Sequence, residues 1–357
     1  MFKVRQTLRV MVVDDSAFMR KFIGDIIRGD KELELVGTAR DGYDALKKRK
    51  VLQPDVITMD VDMPYLNGLE TLRQLMQEHP IPVVMVSSLT REGSEITIEA
   101  LSGGAVDFVT KPAILKGESA AGIKIELPQK IKTAARARLD YYGTSERKLH
   151  APAPLPQPVM VQDMGKVSSS PRNIVAIGAS TGGPRALDVV FRHLPEWLPA
   201  AFFITQHMPV GFTESLSQRL DRISGLQVKE AKGGERIREG EAYVAPGGYH
   251  LVVNKTGNTM LSSAPPVQYV RPSVDVMMDA LAEQFGTVVI GVILTGMGRD
   301  GAAGMSRIKE KGGRIIVQDP ASAVIDSMPQ TVIKNEKVDM VVPLEQIGMS
   351  ITRLLHS

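Results

Sequence analysis

Apolar runs of strand length alternate with amphipathic stretches of helical spacing along most of this chain, and few folds accommodate such a pattern. In the first half, strands are predicted at 8–13, 33–39, 55–59, 82–87 and 105–109. Helices are predicted between them at 16–28, 41–52, 67–78 and 93–102, with one more in a basic stretch at 128–142. Strict alternation favours a parallel sheet covered on both faces. We therefore expect an N-terminal (βα)5 domain.

A proline-rich stretch separates this alternation from a second one. Residues 151–158 place a proline at every second position, and Ser-Ser-Ser-Pro follows at 168–171. Such a composition favours extended polyproline II and forms a semi-rigid spacer. We expect three parts: a first domain at 1–125, a helix and Pro/Ser-rich linker at 126–172, and a second domain at 173–357.

The second half repeats the alternation with one interruption. Strands are predicted at 173–178, 201–206 and 288–294, and helices at 184–194, 212–222, 273–285 and 301–311. Between them, 226–262 carries paired glycines among short alternating runs, which favours antiparallel hairpins. We expect a doubly wound, mostly parallel α/β domain with an inserted antiparallel hairpin region.

Bulk composition narrows the class of protein. The formal net charge of +3 is small for 357 residues and makes no case for nucleic-acid binding. The absence of cysteine excludes disulfides, thiolate metal sites and a cysteine nucleophile. Residues 1–13 lack the apolar core and cleavage site of a secretory signal, and no apolar run reaches the length of a membrane span. We expect a cytoplasmic protein without membrane insertion.

Acidic residues follow the strands of the first half. Asp14 and Asp15 end the first strand, and Asp60 ends the third. The carboxyl ends of neighbouring parallel strands share one crevice, and carboxylates gathered there favour a divalent cation such as Mg²⁺. Ser87 and Lys111 end the fourth and fifth strands and are expected to bind phosphoryl oxygens in the same crevice. Taken singly, an Asp-Asp pair is more often a solvated turn, and a lysine is more often surface charge.

These residues resemble the receiver domain of bacterial response regulators over roughly residues 8–125. The matching motifs are Val-Val-Asp14-Asp15-Ser, Met-Asp60-Val-Asp62-Met-Pro, Val-Met-Val-Ser87-Ser and Phe108-Val-Thr-Lys111-Pro. The resemblance implies that Asp60 accepts a phosphoryl group from a CheA-type histidine kinase. It also implies that Mg²⁺ is held by Asp14, Asp15, Asp60 and the backbone carbonyl of Asp62.

The same resemblance implies two further features. Ser87 and Phe108 fall at the family's switch positions, where an aromatic side chain reorients once the hydroxyl engages the phosphate. In this family the peptide bond between Lys111 and Pro112 is typically cis, which is affordable only before proline.

Ser180 stands at the tip of the first predicted strand of the second half, in Ile-Gly-Ala-Ser-Thr-Gly-Gly-Pro. A strand-to-helix turn of this kind aims free helix N–H groups at a ligand, so the serine is either a phosphate ligand or a nucleophile. A dinucleotide-binding loop is the main alternative. The next strand argues against a dinucleotide-binding loop, because it ends in Gln206 and His207 and not in an acidic residue.

His207 and Asp300 follow two other predicted strands of the second half. A lone histidine there is more often structural, and Asp300 could simply cap the helix after it. Taken with Ser180, however, they form a Ser-His-Asp set at the carboxyl ends of three strands. His207 is suited to take the serine proton, Asp300 to fix the imidazole, and backbone N–H groups to stabilise an oxyanion.

Three other residues of this half have alternative interpretations. His193 is predicted to lie at a helix end, on the surface or in a cap. His250 follows a glycine pair in the hairpin region and is predicted to reach the cleft as a substrate-site residue. Arg271 precedes a helix start in which Ser273 or Asp275 caps the first turn, and an anchoring role for Arg271 toward an acidic partner is the alternative.

With these motifs the second half, about 172–355, closely resembles the catalytic domain of chemotaxis protein-glutamate methylesterases, the CheB family. The resemblance implies that Ser180, His207 and Asp300 form the triad and that Thr181 and Met297 line the oxyanion region. It implies hydrolysis of glutamate γ-methyl esters on chemoreceptors, with deamidation of receptor glutamines by the same chemistry.

Regulation and assembly complete these expectations. Family behaviour suggests that the unphosphorylated receiver covers the Ser180 cleft. Ester hydrolysis is expected to need no cofactor, and the protein is expected to act as a monomer. Asp62 stands where the family more often has Glu, with little consequence if its backbone is the ligand. A non-catalytic binding module and a dinucleotide enzyme remain the rival hypotheses, whereas a transcriptional regulator lacks a predicted helix-turn-helix.

Overall fold

The computed structural model describes residues 7–112, 121–139 and 171–356. The proline-rich stretch at 151–158 and the end of the helix predicted at 128–142 lie outside these ranges. Within them, every helix falls short of the length and apolar character that a membrane span requires.

The first half is a five-stranded parallel sheet in the order β2-β1-β3-β4-β5, with helices on both faces. Its strands are β1 (Leu8–Val13), β2 (Leu33–Ala39), β3 (Val56–Asp60), β4 (Val83–Ser87) and β5 (Asp107–Thr110). Its helices are α1 (Ala17–Arg28), α2 (Gly42–Leu52), α3 (Gly68–Glu78), α4 (Arg91–Gly103) and α5 (Ala121–Ala134). The predicted (βα)5 architecture is confirmed.

Local sequence explains where these helices begin. The four residues before α1, α2, α3 and α4 each accept a hydrogen bond from a backbone N–H of the first turn through their side chains; they are Ser16, Asp41, Asn67 and Thr90. Each helix therefore starts one residue after a polar cap, close to the predicted bounds. Helix α4 starts two residues earlier than predicted, because Thr90 provides its cap.

Helix α5 was predicted too late in the chain. The prediction began it at 128, but it starts at Ala121 and carries Pro128 inside it. Its buried residues Leu127 and Ile131 pack in the core of the first sheet. Helix α5 is thus a structural layer of the first half.

The second half is a seven-stranded parallel sheet in the order β14-β13-β12-β6-β7-β9-β8. Its strands are β6 (Ile174–Ala179), β7 (Ala201–Gln206), β8 (Gln227–Glu230), β9 (Glu241–Val244), β12 (Val289–Ile293), β13 (Arg314–Gln318) and β14 (Met340–Val342). Its helices are α6 (Gly183–Arg192), α7 (Phe212–Ile223), α8 (Val274–Phe285), α9 (Ala302–Glu310), α10 (Ser327–Asn335) and α11 (Leu344–Leu355).

The prediction of hairpins throughout 226–262 was wrong for its first part. Strands β8 and β9 pair in parallel within the main sheet, because the chain between them crosses back instead of turning tightly at Gly233 and Gly234. Strands β10 (His250–Val253) and β11 (Thr259–Ser262) do form an antiparallel hairpin. The inserted hairpin is therefore limited to this pair.

The two halves pack against each other directly. Helix α4 of the first half contacts α6 and α7 of the second. The ring of Phe108, on β5, lies 4.4 Å from the ring of Phe212, on α7, measured between centroids. Beyond α5, the Arg138 backbone N–H donates to the Val324 carbonyl. One apolar cluster includes buried residues of both halves, so the interface is a continuous hydrophobic contact.

Candidate active site

Strand pairing brings Ser180 and His207 to the same edge of the second sheet. In the β6–β7 register Ala179 pairs with Gln206, so the residues that follow them leave adjacent strands side by side. The Ser180 backbone N–H donates to the carbonyl of Thr295, just beyond β12 on the other flank of β6, at 3.0 Å. Three neighbouring strand ends therefore converge on one point, as the sequence predicted.

Asp300 holds the imidazole of His207. Asp300 Oδ2 lies 2.7 Å from His207 Nε2. The same carboxylate accepts hydrogen bonds from the backbone N–H groups of Val274 and Asp275, at 2.7 and 3.0 Å, in the first turn of α8. Burial opposes the ionised form, but the His207 contact and these backbone donors outweigh it and lower the pKa of Asp300. The carboxylate is thus kept charged beside the imidazole.

This pairing decides which ring nitrogen faces the serine. Because Nε2 is engaged by Asp300, Nδ1 is the nitrogen of His207 that remains for a proton from Ser180. In the described residues no hydrogen bond joins the Ser180 hydroxyl to His207. Ser180 and His207 both line the same cleft, and the serine is half-buried there.

Ser273 fixes the other oxygen of Asp300. Its hydroxyl donates to Asp300 Oδ1 at 2.8 Å and also accepts the Val276 N–H as the cap of α8, which confirms the predicted capping role. Asp275 accepts hydrogen bonds from the backbone N–H groups of Gly301 and Gly304, both at 2.8 Å. Burial raises the pKa of Asp275 to about 6, and the neighbouring Asp300 carboxylate adds to this.

The turn after Ser180 requires glycine. Gly182 has φ of +77°. A Cβ on Gly183 would lie 1.9 Å from Gln206 Oε1, so no larger residue fits between the turn and the Gln206 side chain. The Gly183 N–H donates to the Ser180 carbonyl at 2.7 Å, and α6 has no side-chain cap, so free N–H groups of its first turn can stabilise negative charge near Ser180.

The cleft in front of Ser180 has a volume of about 560 Å³ and is lined by both halves of the molecule. The second half contributes Ser180, His207 and Asp300, and the first half contributes Asp107 and Lys130. One wall of the cleft is therefore made by the sheet edge and helix α5 of the first domain.

The two residues predicted for the oxyanion region contact the first half. Thr181 Oγ1 donates to Asp107 Oδ2 at 2.6 Å, and Asp107 Oδ1 lies 3.0 Å from Lys130 Nζ. Thr133, on α5, donates its hydroxyl hydrogen to the sulfur of Met297 at 3.0 Å. Sequence reasoning missed Asp107 as a site residue; an acid at the start of β5, between two apolar residues of the sequence, was the available signal.

His250 does not reach the cleft, and its predicted role in substrate binding was wrong. It is fully buried and is absent from the described lining of the cleft. Its Nδ1 accepts the Ser273 N–H at 3.1 Å, and its Nε2 lies 3.2 Å from the Pro265 carbonyl. His250 is held on both sides and supports the start of α8. His193 ends α6 on the surface, as predicted.

Arg271 has a structural part in the loop before α8. Its guanidinium donates to the carbonyls of Ser263 and Ala264, each at 2.9 Å. In the described residues the cis peptide bond lies between Arg271 and Pro272, not between Lys111 and Pro112 as the receiver resemblance implied.

A second acidic site lies at the carboxyl edge of the first sheet. Ligand atoms of Asp14, Asp15 and Asp60 all lie within 4.8 Å of one another. Lys111 Nζ lies 2.6 Å from Asp60 Oδ2 and 3.0 Å from Asp14 Oδ2. Burial raises the pKa of Asp60 to about 6, although Lys111 opposes this. In the described residues the buried Asp14 Oδ2 has no polar partner beyond its ion pair with Lys111, and three carboxylates whose hard oxygens lie this close together suit a divalent cation. The donor set fits Mg²⁺.

The predicted switch residues connect this acidic site to the interface. The Ser87 hydroxyl is buried and accepts a hydrogen bond from Thr97 Oγ1, on α4, at 2.6 Å. Phe108 is buried against Phe212. Lys130 Nζ lies 5.1 Å from the centre of the Phe108 ring. Asp62 is exposed, and its backbone N–H lies 3.4 Å from Asp60 Oδ1.

Comparisons with known proteins cover both halves. A response regulator receiver domain model matches residues 10–117, and a CheB methylesterase model matches 175–351. A protein-glutamate methylesterase/protein-glutamine glutaminase of Pyrococcus abyssi is 45% identical over 354 residues, covering 98% of this chain and 94% of that relative. One from Symbiobacterium thermophilum is 45% identical over 359 residues and covers 98% of both chains. The crystal structure of the Thermotoga maritima CheB methylesterase catalytic domain is 43% identical with a TM-score of 0.50, covering 51% of this chain and 98% of that one.

Proposed function

The chain belongs to the CheB methylesterase family, and from this we propose that it hydrolyses glutamate γ-methyl esters of chemoreceptors to glutamate and methanol. We propose Ser180 as nucleophile, His207 as general base and Asp300 as the group that orients the imidazole. The observation that carries this assignment is the 2.7 Å contact between His207 and Asp300 beside Ser180 on the adjacent strand end.

In the proposed reaction His207 Nδ1 takes the hydroxyl proton as Ser180 Oγ attacks the ester carbonyl. The tetrahedral intermediate collapses, and methanol leaves with the proton that His207 returns. Water then attacks the acyl-enzyme by the same route and releases the glutamate carboxylate. Asp300 stabilises the imidazolium in both steps, since its lowered pKa keeps it ionised.

The oxyanion is proposed to bind at the start of α6, next to Thr181 and Met297. A backbone donor of this kind is typically worth about 2.7–4 kcal/mol of transition-state stabilisation. Deamidation of receptor glutamines follows the same acyl chemistry with ammonia as leaving group. Both reactions are proposed to proceed through the protein groups named above without a metal cofactor.

Control is proposed to start at Asp60, as the phosphoryl acceptor from a CheA-type kinase. Asp14, Asp15, Asp60 and the backbone carbonyl of Asp62 would hold Mg²⁺, which neutralises phosphoryl charge when bound. Lys111, now paired with Asp60, is placed to contact a phosphoryl oxygen instead.

The signal is proposed to travel through Ser87 and Phe108 to the domain interface. A phosphoryl group that draws the Ser87 hydroxyl away from Thr97 would free the Phe108 ring from Phe212. Loss of this contact favours separation of the receiver wall from the cleft, because a switch needs contacts that differ between its two states. Release of Thr181 from Asp107 follows from the same separation.

The enzyme is proposed to work as a cytoplasmic monomer on the cytoplasmic helices of methyl-accepting receptors. The test is methanol release from a methylated receptor fragment. Ser180→Ala should abolish it, whereas Ser224→Ala, a control at the far end of α7, should leave it unchanged. Methanol release retained by Ser180→Ala would exclude this nucleophile. A receptor left methylated by wild type would instead favour a binding module.

A further inference from the structure

A two-residue turn stands at the rim of the active-site cleft. Val267 and Val270 exchange both backbone hydrogen bonds, at 3.1 and 3.0 Å, with Gln268 and Tyr269 between them. Both central residues have left-handed backbone, with φ of +50° and +68°. Turns that need positive φ at both positions normally carry Asn, Asp or Gly there. Two large residues are thus kept in a conformation that costs free energy.

Gln268 fastens this turn to the framework of the triad. Its Nε2 donates to Asp275 Oδ2 at 3.0 Å, and its Oε1 accepts from Arg299 Nε at 3.3 Å. Asp275 in turn binds the backbone of Gly301 and Gly304, beside Asp300. The turn is therefore rigidly positioned relative to the catalytic carboxylate.

Tyr269 uses that position to point into solvent. Its side chain is fully exposed, at 102% of the reference area, although Gln268, Tyr269 and Arg271 all line the cleft. It lies on the wall made by the second half, and the receiver does not cover it. Among the described residues no aromatic or cation–π contact is made by this ring, and Arg299, which donates to the neighbouring Gln268, is also exposed.

We propose that Tyr269 is a specificity-determining residue that binds the protein segment flanking the target glutamate. This inference rests on the proposed function of the cleft. The tyrosine ring offers a rigid apolar surface with low entropy cost, and the exposed Arg299, which lines the same cleft, favours an acidic segment. A small ester occupies only the neighbourhood of Ser180, so it gains nothing from the turn.

The test compares a protein substrate with a small one, in the full-length enzyme activated by a small phosphodonor. Tyr269→Asn removes the ring but keeps a residue suited to positive φ. It should raise KM for a methylated receptor fragment about tenfold. It should change kcat on that fragment, and kcat/KM for the γ-methyl ester of N-acetylglutamate amide, by less than about twofold. Tyr269→Phe should behave as wild type.

Trp197→Ala is the matched control. Trp197 is an exposed aromatic that precedes β7, at the amino edge of the sheet and opposite the cleft, so its loss should leave both substrates unaffected. An unchanged receptor KM in Tyr269→Asn would overturn the inference while leaving the esterase assignment intact. Equal losses of kcat/KM on both substrates would also overturn the inference, since they would indicate a damaged active site. Failure of wild type to hydrolyse either ester would instead refute the proposed function.

Discussion

Thr181 Oγ1 donates a 2.6 Å hydrogen bond to Asp107 Oδ2, which links the residue after Ser180 to the edge strand of the first domain. Asp107 also pairs with Lys130, so the contact is anchored within its own domain. A phosphorylation-dependent movement of β5 and α5 would thus act directly on the turn that carries the proposed nucleophile.

Asp107→Ala should raise methanol release in the absence of phosphodonor. The substitution removes a charge-assisted hydrogen bond, worth about 1.5–3 kcal/mol, from the closed arrangement only. While the closed arrangement predominates, this difference corresponds to a rise of about 10- to 150-fold in the open population, so we expect basal activity to rise by at least about tenfold. Glu70→Ala, which removes an exposed acid on α3, is the control. Basal rates equal to wild type would show that this hydrogen bond does not restrain the enzyme.

Ser273→Ala should lower kcat about tenfold with little change in KM, because one of the four donors to Asp300 is lost. The substitution also removes a helix cap, which alone costs about 1 kcal/mol of stability. Asn67→Ala removes a comparable cap from α3, far from the triad, and should leave kcat unaffected. An equal fall in kcat in both variants would show that the loss of activity comes from reduced protein stability and not from the lost hydrogen bond to Asp300.

Asp275→Asn should alter how stability depends on pH. Burial raises the pKa of Asp275 to about 6, so the folded protein binds this proton more tightly than the unfolded chain. The stabilisation of the folded protein by this bound proton is fully present below about pH 4 and is lost as pH rises through about 6. Relative to wild type, the Asn variant should gain up to about 3 kcal/mol of unfolding free energy between about pH 4 and pH 7.

The measurement is urea unfolding followed by fluorescence of Trp197, the single tryptophan, which lies in the second domain. Asp279→Asn, at an exposed acid on the same helix, is the control and should parallel wild type. Parallel pH curves for wild type and Asp275→Asn would contradict the raised pKa.

Periodicity and caps predicted most of the fold. The strand bounds of β1, β2 and β7 match the prediction, because each is an apolar run with a clear end. Strands β13 and β14 with helices α10 and α11 were missed. The three-residue β14 and the nine-residue α10 give weak periodic signals, but β13 is a buried apolar run and α11 is amphipathic, so the signals for these two were present in the sequence. Parallel pairing of β8 and β9 was also missed, because four-residue strands do not specify their partners.

Motifs at strand ends predicted which side chains would meet, because parallel strands place their carboxyl ends at one edge. They could not predict contacts between domains, such as Asp107 with Thr181, since these depend on how two separate surfaces pack. His250 illustrates the same limit. A glycine pair before a histidine favours exposure, but the packing of β10 against α8 buries this one.

The most direct test of a controlled serine esterase is methanol release from a methylated receptor fragment with and without a small phosphodonor. Wild type should be activated at least about fivefold. Asp60→Asn should keep the basal rate but show no activation, because Asp60 is the proposed phosphoryl acceptor. Activation of Asp60→Asn to the wild-type level would contradict the account.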